Sequence, residues 1–160
     1  MKHSKEHFAF LKKAIELSRQ NLVVGEGGPF GALVVKDNKI ISEAYNQVLI
    51  NNDPTAHAEI TAIREACQKL GTYQLTGCII YTSCEPCPMC LGAIYWARPD
   101  KVYFANTRKD AAAVGFDDEF IYQEINATMN DRRIPFIHAP HSDAIAVFKE
   151  WKSLDGKKKY

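Results

Sequence analysis

The chain has 160 residues, of which 46% are hydrophobic and 24% are charged, and its formal net charge is +1. These values are typical of one globular domain, which we expect to span residues 1–160, and the near-zero charge argues against a protein built around nucleic acid. The sequence lacks a run of about 18 apolar residues, so we expect no membrane span, and charges scattered through its first residues argue against a signal peptide and favour a cytoplasmic location.

The predicted elements begin with an amphipathic helix over residues 5–23, where apolar residues recur at helical spacing. Its apolar positions include Phe8, Leu11, Ile15 and Leu22. The glycine-rich run that follows, GEGGPFG, comes after a helix and before a strand. Nucleotide-binding loops have the opposite order, so we interpret these glycines as a helix stop and not as a phosphate site.

Strand and helix patterns alternate through the rest of the chain. Two β-rich runs joined by Asp37 and Asn38 predict a hairpin, FGALVVK and KIISEAYN. The further predicted strands are CIIYTS, KVYFAN and IPFIHAP, and the further predicted helices are AHAEITAIREACQKLG, PCPMCLGAIYWAR, DDEFIYQEI and SDAIAVFKEWKSL. This alternation predicts an α/β protein with a mixed sheet covered by helices on both faces, a three-layer α/β/α fold.

Two of the five cysteines stand out by their position. An odd number of cysteines argues against a disulfide framework in a cytoplasmic chain, and we expect Cys67 and Cys78 to be inert core residues. Cys87 and Cys90 are three residues apart at the start of a predicted helix, so their sulfurs share one face. Unpaired backbone N–H groups and the positive end of the helix dipole favour thiolates there.

A thiolate pair is half of a zinc site, and His57, at the start of the earlier predicted helix, can supply a third ligand. Three such ligands leave the fourth position open for a water molecule, whose pKa zinc lowers to about 7. Glu59 lies two residues after His57, about 200° around a regular helix, and at the helix end it can reach toward the same metal. A carboxylate beside that water can take its proton, so the pattern indicates the addition of water to an electrophilic carbon.

Other interpretations of the cysteines remain open at this point. Cys84 could join Cys87, Cys90 and His57 in a closed structural zinc site, although Glu59 would then have no role. An iron–sulfur pattern lacks its expected fourth cysteine, and a redox dithiol would need a thioredoxin-like scaffold. The basic run at residues 157–159 is typical of a solvated tail.

The motif H-x-E…P-C-x-x-C is the signature of the zinc nucleobase deaminases. It occurs here as HAE at residues 57–59 and PCPMC at residues 86–90. The sequence therefore resembles the cytidine-deaminase superfamily, whose fold is a five-stranded mixed sheet between helices. The resemblance implies that His57, Cys87 and Cys90 bind one zinc ion per subunit and that Glu59 is the proton shuttle.

Several longer stretches resemble the bacterial guanine deaminases of this superfamily: GGPFGALVV, NDPTAHAEITAIREAC, YTSCEPCPMCLGAIYWAR, GFDDEFIYQEI and the terminal KKKY. This resemblance implies the hydrolysis of guanine to xanthine and ammonia in purine catabolism or salvage. It assigns Asp118, beside Asp117, to the N1–H and 2-amino edge of the base, and Asn46 to the other edge. Phe30 and Trp96 are candidates to sandwich the ring.

The same resemblance implies that residues 140–160 fold over an active site as a lid, in some relatives that of a partner subunit, which makes Tyr160 a candidate substrate contact. We therefore expect a homodimer, with a swapped C-terminal segment as one form of it. The alternative activities are those of tRNA adenosine deaminases, which share HAE and the cysteine helix, and of cytosine or cytidine deaminases. The acidic run GFDDEF would repel an RNA backbone, so we expect a free purine base as the partner and no nucleic acid or membrane.

Overall fold

The computed structural model describes residues 5–158, which form two compact units divided after Asp118. The first unit contains α1 (Lys5–Val24), β1 (Gly31–Lys36), β2 (Lys39–Tyr45), α2 (Val48–Asn51), α3 (Ala58–Leu70), β3 (Cys78–Cys84), α4 (Pro88–Ala97), β4 (Lys101–Asn106) and α5 (Arg108–Ala113). The second unit contains α6 (Glu119–Asn126), a 3-10 turn (Met129–Asp131) and α7 (Ser142–Ser153).

The sheet of the first unit is mixed, with strand order β2-β1-β3-β4. β1 pairs antiparallel with both β2 and β3, whereas β3 pairs parallel with β4. Asp37 and Asn38 join β1 to β2 with positive φ angles of 49° and 59°. Two such residues in succession match the twist of the flanking strands, so the predicted hairpin is confirmed.

β1 shows how helices cover both faces of the sheet. Its alternate residues Leu33 and Val35 pack in one apolar cluster with Ala14 and Leu17 of α1. The intervening residues of β1 pack in a second cluster with α3 and α4; this cluster includes Ala32, Val34, Ala58, Ala62, Ala66, Ile94 and Ala97. A strand buried on both faces has a continuous apolar sequence, which β1 has, and the predicted three-layer arrangement is confirmed.

The prediction of a five-stranded sheet is wrong, because the sheet of the described chain has four strands. The run IPFIHAP, at residues 134–140, was expected to form the fifth strand but lies outside any strand. Pro135 and Pro140 lack the N–H groups that a strand ladder needs. Ile137 is 86% exposed, so the apolar run does not mark a buried strand in this chain.

The helices follow their sequence signals closely. α1 ends at Val24, before Gly25 with φ of 74°, as the predicted helix over residues 5–23 required. α3 ends before Gly71, whose positive φ lets its N–H bond the last carbonyls of the helix. The short helices α2 and α5 had no predicted counterpart. Among the described residues, no helix is both long and apolar enough to cross a membrane.

The described residues of the second unit are largely exposed to solvent. None of its described residues is buried, and α7 exposes large apolar side chains, namely Ile145, Val147, Phe148 and Trp151. The single domain over residues 1–160 and the lid over residues 140–160 stay predictions. Tyr160, the expected lid residue, lies outside the described residues.

Candidate active site

The site lies at one end of the sheet. Because β1 is antiparallel to its two neighbours, its start lies beside the ends of β2 and β3, and the end of β4 lies there too. Cys87 follows the end of β3, and His57 comes to the same place at the start of α3. The ligand atoms of His57, Cys87 and Cys90 all lie within 4.8 Å of one another. The sequence prediction that the two helix starts meet is confirmed.

Helix-start geometry positions two of these side chains. His57 and Cys87 are the N-cap residues of α3 and α4, and both have extended backbone angles. Pro88, at the first position of α4, has a fixed φ that favours a helix start and has no N–H to leave unpaired. The positive ends of two helix dipoles therefore lie close to the sulfurs, where they stabilise thiolates.

The spacing of these donors fits zinc. Nδ1 of His57 lies 3.5 Å from Sγ of Cys87 and 3.5 Å from Sγ of Cys90. A tetrahedral ion with Zn–N of about 2.1 Å and Zn–S of about 2.3 Å would place nitrogen and sulfur about 3.6 Å apart. One imidazole and two thiols around one point are also the donor types that zinc prefers.

The protonation of the cysteines agrees with a metal site. A hydrogen bond from Cys90 and another with His57 lower the pKa of Cys87 to about 4, against the opposing effect of burial. The pKa of Cys90 is raised by its hydrogen bond to Cys87, by burial and by the charge of Glu59. The pKa of His57 is raised, chiefly by its hydrogen bond with Cys87. Cys90 therefore holds a proton that a metal cation would displace.

Cys84 does not join the ligands. Its Sγ–H donates to the backbone carbonyl of Thr107 at 3.6 Å, and burial raises its pKa to about 11. The next residue, Glu85, accepts a hydrogen bond from the N–H of Arg108 at 3.0 Å. Residues 84 and 85 thus fasten the Cys87 loop to the start of α5. The interpretation as a closed four-ligand site is wrong for this structure, because the ligand cluster among the described residues consists of His57, Cys87 and Cys90.

Glu59 lies beside the metal ligands and is 5% exposed. Its Oε2 accepts from Sγ of Cys90 at 3.5 Å, and its Oε1 accepts from Oγ1 of Thr82 at 3.0 Å. Burial raises the pKa of Glu59, which brings it closer to the range useful for proton transfer. Thr82 was not predicted from the sequence; its only local signal is the change from the apolar start of β3 to the polar pair Thr82 and Ser83 near its end.

Asp117 and Asp118, at the end of the first unit, differ in burial. Asp118 is half-buried, and burial and the charge of Cys87 raise its pKa. Asp117 is exposed. The Asp118 carboxyl therefore lies within electrostatic reach of Cys87, whereas its contact with a base stays a prediction.

Asn46 is 5% exposed and follows β2 at the same end of the sheet. Its Oδ1 accepts from the N–H groups of Gly28 at 3.3 Å and Val48 at 3.2 Å. A Cβ on Gly27 would overlap this Oδ1 and lie 2.7 Å from the Asn46 carbonyl oxygen. The glycine loop that looked like a helix stop also packs directly on Asn46.

The candidate aromatic contacts differ in position. Phe30 packs edge-to-face on Phe116 with ring centroids 4.9 Å apart, and a Cβ on Gly28 would crowd both rings. Trp96 is 64% exposed and lies near the end of α4, whereas the cysteines lie at its start. The structure therefore does not bring Trp96 into the cluster around His57, and its contact with a base stays a prediction. The contact of Phe116 with Phe30 was not predicted from the sequence.

A buried carboxylate beside three zinc-type ligands is typical of a metal-dependent hydrolase and fits the nucleobase-deaminase class. Residues 4–106 match the family model described as the cytidine and deoxycytidylate deaminase zinc-binding region. The chain belongs to this family.

Within the nucleobase deaminases, the chain is similar to a guanine deaminase. The chain is 54% identical to guanine deaminase of Bacillus subtilis (strain 168), over 96% of this chain and 99% of that protein. An X-ray structure of guanine deaminase from Bacillus subtilis superposes with a TM-score of 0.94 at 53% identity, covering 100% of this chain and 99% of that one.

Relatives of lower identity share the fold. A tRNA-specific adenosine deaminase of Aquifex aeolicus (strain VF5) is 36% identical over 89% of this chain and 91% of its own. The crystal structure of NE0047 in complex with 2,6-diaminopurine has a TM-score of 0.66 at 33% identity, covering 74% of this chain and 65% of that chain. The identity to the Bacillus subtilis guanine deaminase is higher than to either of these, and the TM-score to its X-ray structure is higher than to that of NE0047.

Proposed function

We propose that this protein hydrolyses guanine to xanthine and ammonia with one zinc ion held by His57, Cys87 and Cys90. The observation that carries the proposal is the buried carboxyl of Glu59, which accepts a hydrogen bond from Cys90, and the influence of the Cys87 charge on the pKa of Asp118 supports a second carboxyl group near the same site. Hydrolytic deamination needs a group that moves the proton of the attacking water, and a second carboxyl group can help the amine to leave. The similarity to a guanine deaminase over nearly the whole chain supports guanine as the base.

A zinc ion held by His57, Cys87 and Cys90 would supply an activated water molecule for attack on C2 of the base. Glu59 takes the proton of that water and delivers it to N3, which lets C2 become tetrahedral. Its raised pKa favours this shuttle, because a group that takes and then returns a proton works best near the pH of the reaction. Thr82 holds the carboxylate through Oε1, so Oε2 faces the Cys90 side of the site.

Asp118 accepts hydrogen bonds from the N1–H and 2-amino groups of guanine. It then passes the proton of the new C2 hydroxyl group to the amino group, so that the C2–N bond breaks, ammonia leaves and the C2=O bond forms. The raised pKa of Asp118 favours this relay, because a carboxylate with a raised pKa takes up a proton more readily before it passes the proton on. Adenine lacks both donors in this arrangement, so the pair of contacts favours guanine.

Asn46 binds the opposite edge of the base. Since its Oδ1 is held by two backbone N–H groups, its Nδ2 is the group that faces a ligand, and it donates to the acceptor edge formed by O6 and N7. Phe30, Trp96 and Tyr160 are proposed as apolar contacts of the base, with Tyr160 on the C-terminal lid. Of these, Phe30 has support from its position beside Gly28.

The test is an ammonia-release screen with zinc-loaded protein on guanine, cytosine, cytidine, adenine and tRNA. We expect release from guanine with one xanthine formed per ammonia, and rates at least about 100-fold lower on the others, since the loss of bonded partners in a polar site is costly. Faster conversion of adenosine to inosine in tRNA would favour the second candidate, which the 36% identical relative supports. No release from guanine would contradict the proposal.

We also propose a homodimer, with exchange of the C-terminal segment as one form, in a cytoplasmic enzyme of purine catabolism or salvage. The apolar side chains exposed on α7 support association, because large exposed apolar surfaces usually mark an interaction site. Light scattering during size-exclusion chromatography tests it: a mass near 18.0 kDa at micromolar concentration would contradict the dimer.

A further inference from the structure

One polar side chain on α1 is buried without a role in the chemistry described above. Asn21 is 1% exposed, and the other buried residues of α1 are Ala14 and Leu17. Its Nδ2 donates to two backbone carbonyls, that of Gly28 at 2.7 Å and that of Asn46 at 2.9 Å. These two carbonyls belong to segments far apart in the sequence, the glycine loop and the end of β2. Asn21 therefore links the glycine loop to the end of β2 through two hydrogen bonds.

The same two segments are also joined through the side chain of Asn46. Its Oδ1 accepts from the N–H of Gly28, so Gly28 is bonded to Asn21 through its carbonyl and to Asn46 through its N–H. These bonds fix which way the Asn46 amide faces, with Oδ1 toward the backbone and Nδ2 on the opposite side. Among the described residues, no protein acceptor bonds this Nδ2, which leaves it for a ligand.

We propose that Asn21 is a positioning residue, which holds the Gly28 and Asn46 backbones together so that Nδ2 of Asn46 is presented as a donor to the O6 and N7 edge of a purine base. The inference rests on the proposed function, because it takes Asn46 to be a base contact. Asparagine suits the position because a single NH₂ group donates twice, to two carbonyls. The Oδ1 of Asn21 has no protein donor among the described residues, so the contribution of the side chain lies in its two donors.

The glycine loop leaves this arrangement no space to adjust. A Cβ on Gly27 would overlap Oδ1 of Asn46 and approach its carbonyl oxygen to 2.7 Å. Gly27 packs against Asn46, and Asn21 is hydrogen-bonded to the Asn46 carbonyl. A shift of Gly28 would therefore move the side-chain amide of Asn46, which is bonded to the Gly28 N–H. Loss of the Asn21 donors should therefore weaken binding of the base more than it slows the chemical step.

The first experiment compares Asn21→Leu, which keeps the approximate size and removes both donors, with Ser42→Ala. Ser42 is a matched control: it is buried, its Oγ donates to the carbonyl of Ala62 at 2.7 Å, and it lies four residues before Asn46, about 13 Å along a strand. We expect both variants to lower Tm. Only Asn21→Leu should raise KM for guanine, by about tenfold with a smaller change in kcat, as expected for the loss of one binding hydrogen bond. Equal KM values in the two variants would overturn the inference.

The second experiment is a double-mutant cycle with Asn46→Ala. If Asn21 acts through Asn46, Asn21→Leu should change KM by less than about twofold in the Asn46→Ala background, while its loss in Tm persists. Independent, multiplicative effects on KM would overturn the inference although guanine deamination stands. Should Asn21→Leu not fold, Asn21→Ser, which keeps one donor on a shorter side chain, takes its place with the same two expectations.

Measurements on the unsubstituted enzyme distinguish failure of the proposed guanine deamination from failure of the positioning role of Asn21. If it releases no ammonia from guanine, the proposed function fails, and the inference about Asn21 fails with it. If it deaminates guanine with the normal KM retained in the Asn21 variants, only the positioning role is lost.

Discussion

Thr82 donates a hydrogen bond from Oγ1 to Oε1 of Glu59 at 3.0 Å, and both side chains are buried. Thr82 lies on β3 and Glu59 in the first turn of α3, so the bond joins the sheet to the helix that carries the metal-binding histidine. It leaves Oε2 on the side of Cys90. Glu59, the proposed proton shuttle, is thus held in place by a residue that is not one of the candidate metal ligands.

Replacing Thr82 with valine, which has nearly the same shape, removes this bond. We expect kcat for guanine to fall by about 10- to 100-fold with zinc retained, because hydrogen bonds to charged groups are among the strongest in proteins. The bond lowers the pKa of Glu59, so its loss should raise that pKa and shift the acidic limb of the kcat profile to higher pH. Thr82→Ser keeps the hydroxyl and should keep the limb in place; an unshifted limb in Thr82→Val would contradict this role.

Glu59→Gln removes the proton shuttle but keeps the size of the side chain. We expect zinc content to stay near one per chain while turnover falls by about 100- to 10,000-fold, the range typical of a lost general acid–base. Metal analysis and ammonia release should be measured on the same preparation. Full activity in this variant would rule out the shuttle role of Glu59, and loss of zinc would show that the residue instead supports the metal.

The residues that could be predicted from the sequence are those marked by local signals. His57 and Cys87 each stand directly before a helix, and the metal-binding pattern H-x-E…P-C-x-x-C lies in two short stretches. Their meeting at one end of the sheet followed from the alternation of strands and helices. Thr82 and Asn21 could not be identified in this way, because each acts through contacts with residues distant in the chain, which no periodicity or spacing reveals.

The missing fifth strand has a related cause. The run from Ile134 to Pro140 has the apolar composition of a strand, but a strand exists only where a neighbour can bond its backbone. Two prolines reduce the donors that this run can offer, and its apolar side chains are exposed in the described chain. The composition of this run favours an extended backbone. It does not form a strand because pairing with a neighbouring strand, which depends on residues distant in the chain, is missing among the described residues.

The acidic pair provides a test within two adjacent residues. Asp118→Asn should lower kcat/KM for guanine by about 100-fold or more, because the amide cannot assist protonation of the leaving amine as a carboxyl can. Asp117→Asn is the matched control, since Asp117 is exposed and should change kcat/KM by less than about threefold. Both variants should retain zinc. A larger loss in Asp117→Asn would reverse the assignment within the pair.

Removal of the metal should expose a reactive thiolate. In the metal-free protein the pKa of Cys87 is about 4 and that of Cys84 about 11, so at pH 6 Cys87 is a thiolate and Cys84 a thiol. Because the thiolate is the nucleophile, we expect iodoacetamide to label Cys87 first, as read by peptide mass spectrometry. Zinc should restore both activity and protection. Equal labelling of Cys84, or labelling unaffected by zinc, would contradict the assignment of Cys87 as a ligand.

Gly27→Ala tests the packing of the glycine loop on the side-chain amide of Asn46, the proposed base contact. The added methyl group would overlap Oδ1 of Asn46 and press on its carbonyl oxygen, so Asn46 must move. We expect KM for guanine to rise by about tenfold, in keeping with the 1–3 kcal/mol that overpacking typically costs.

Gly92→Ala is the matched control for this substitution. A Cβ at Gly92 meets no atom within 4 Å, and Gly92 lies inside α4, where alanine is favoured over glycine by about 1 kcal/mol. It should raise Tm slightly and leave KM unchanged. Steady-state kinetics and thermal melts should be measured for both variants. An unchanged KM in Gly27→Ala would mean that the loop can shift without moving Asn46. The close packing of Gly27 would then not be what holds the Asn46 amide.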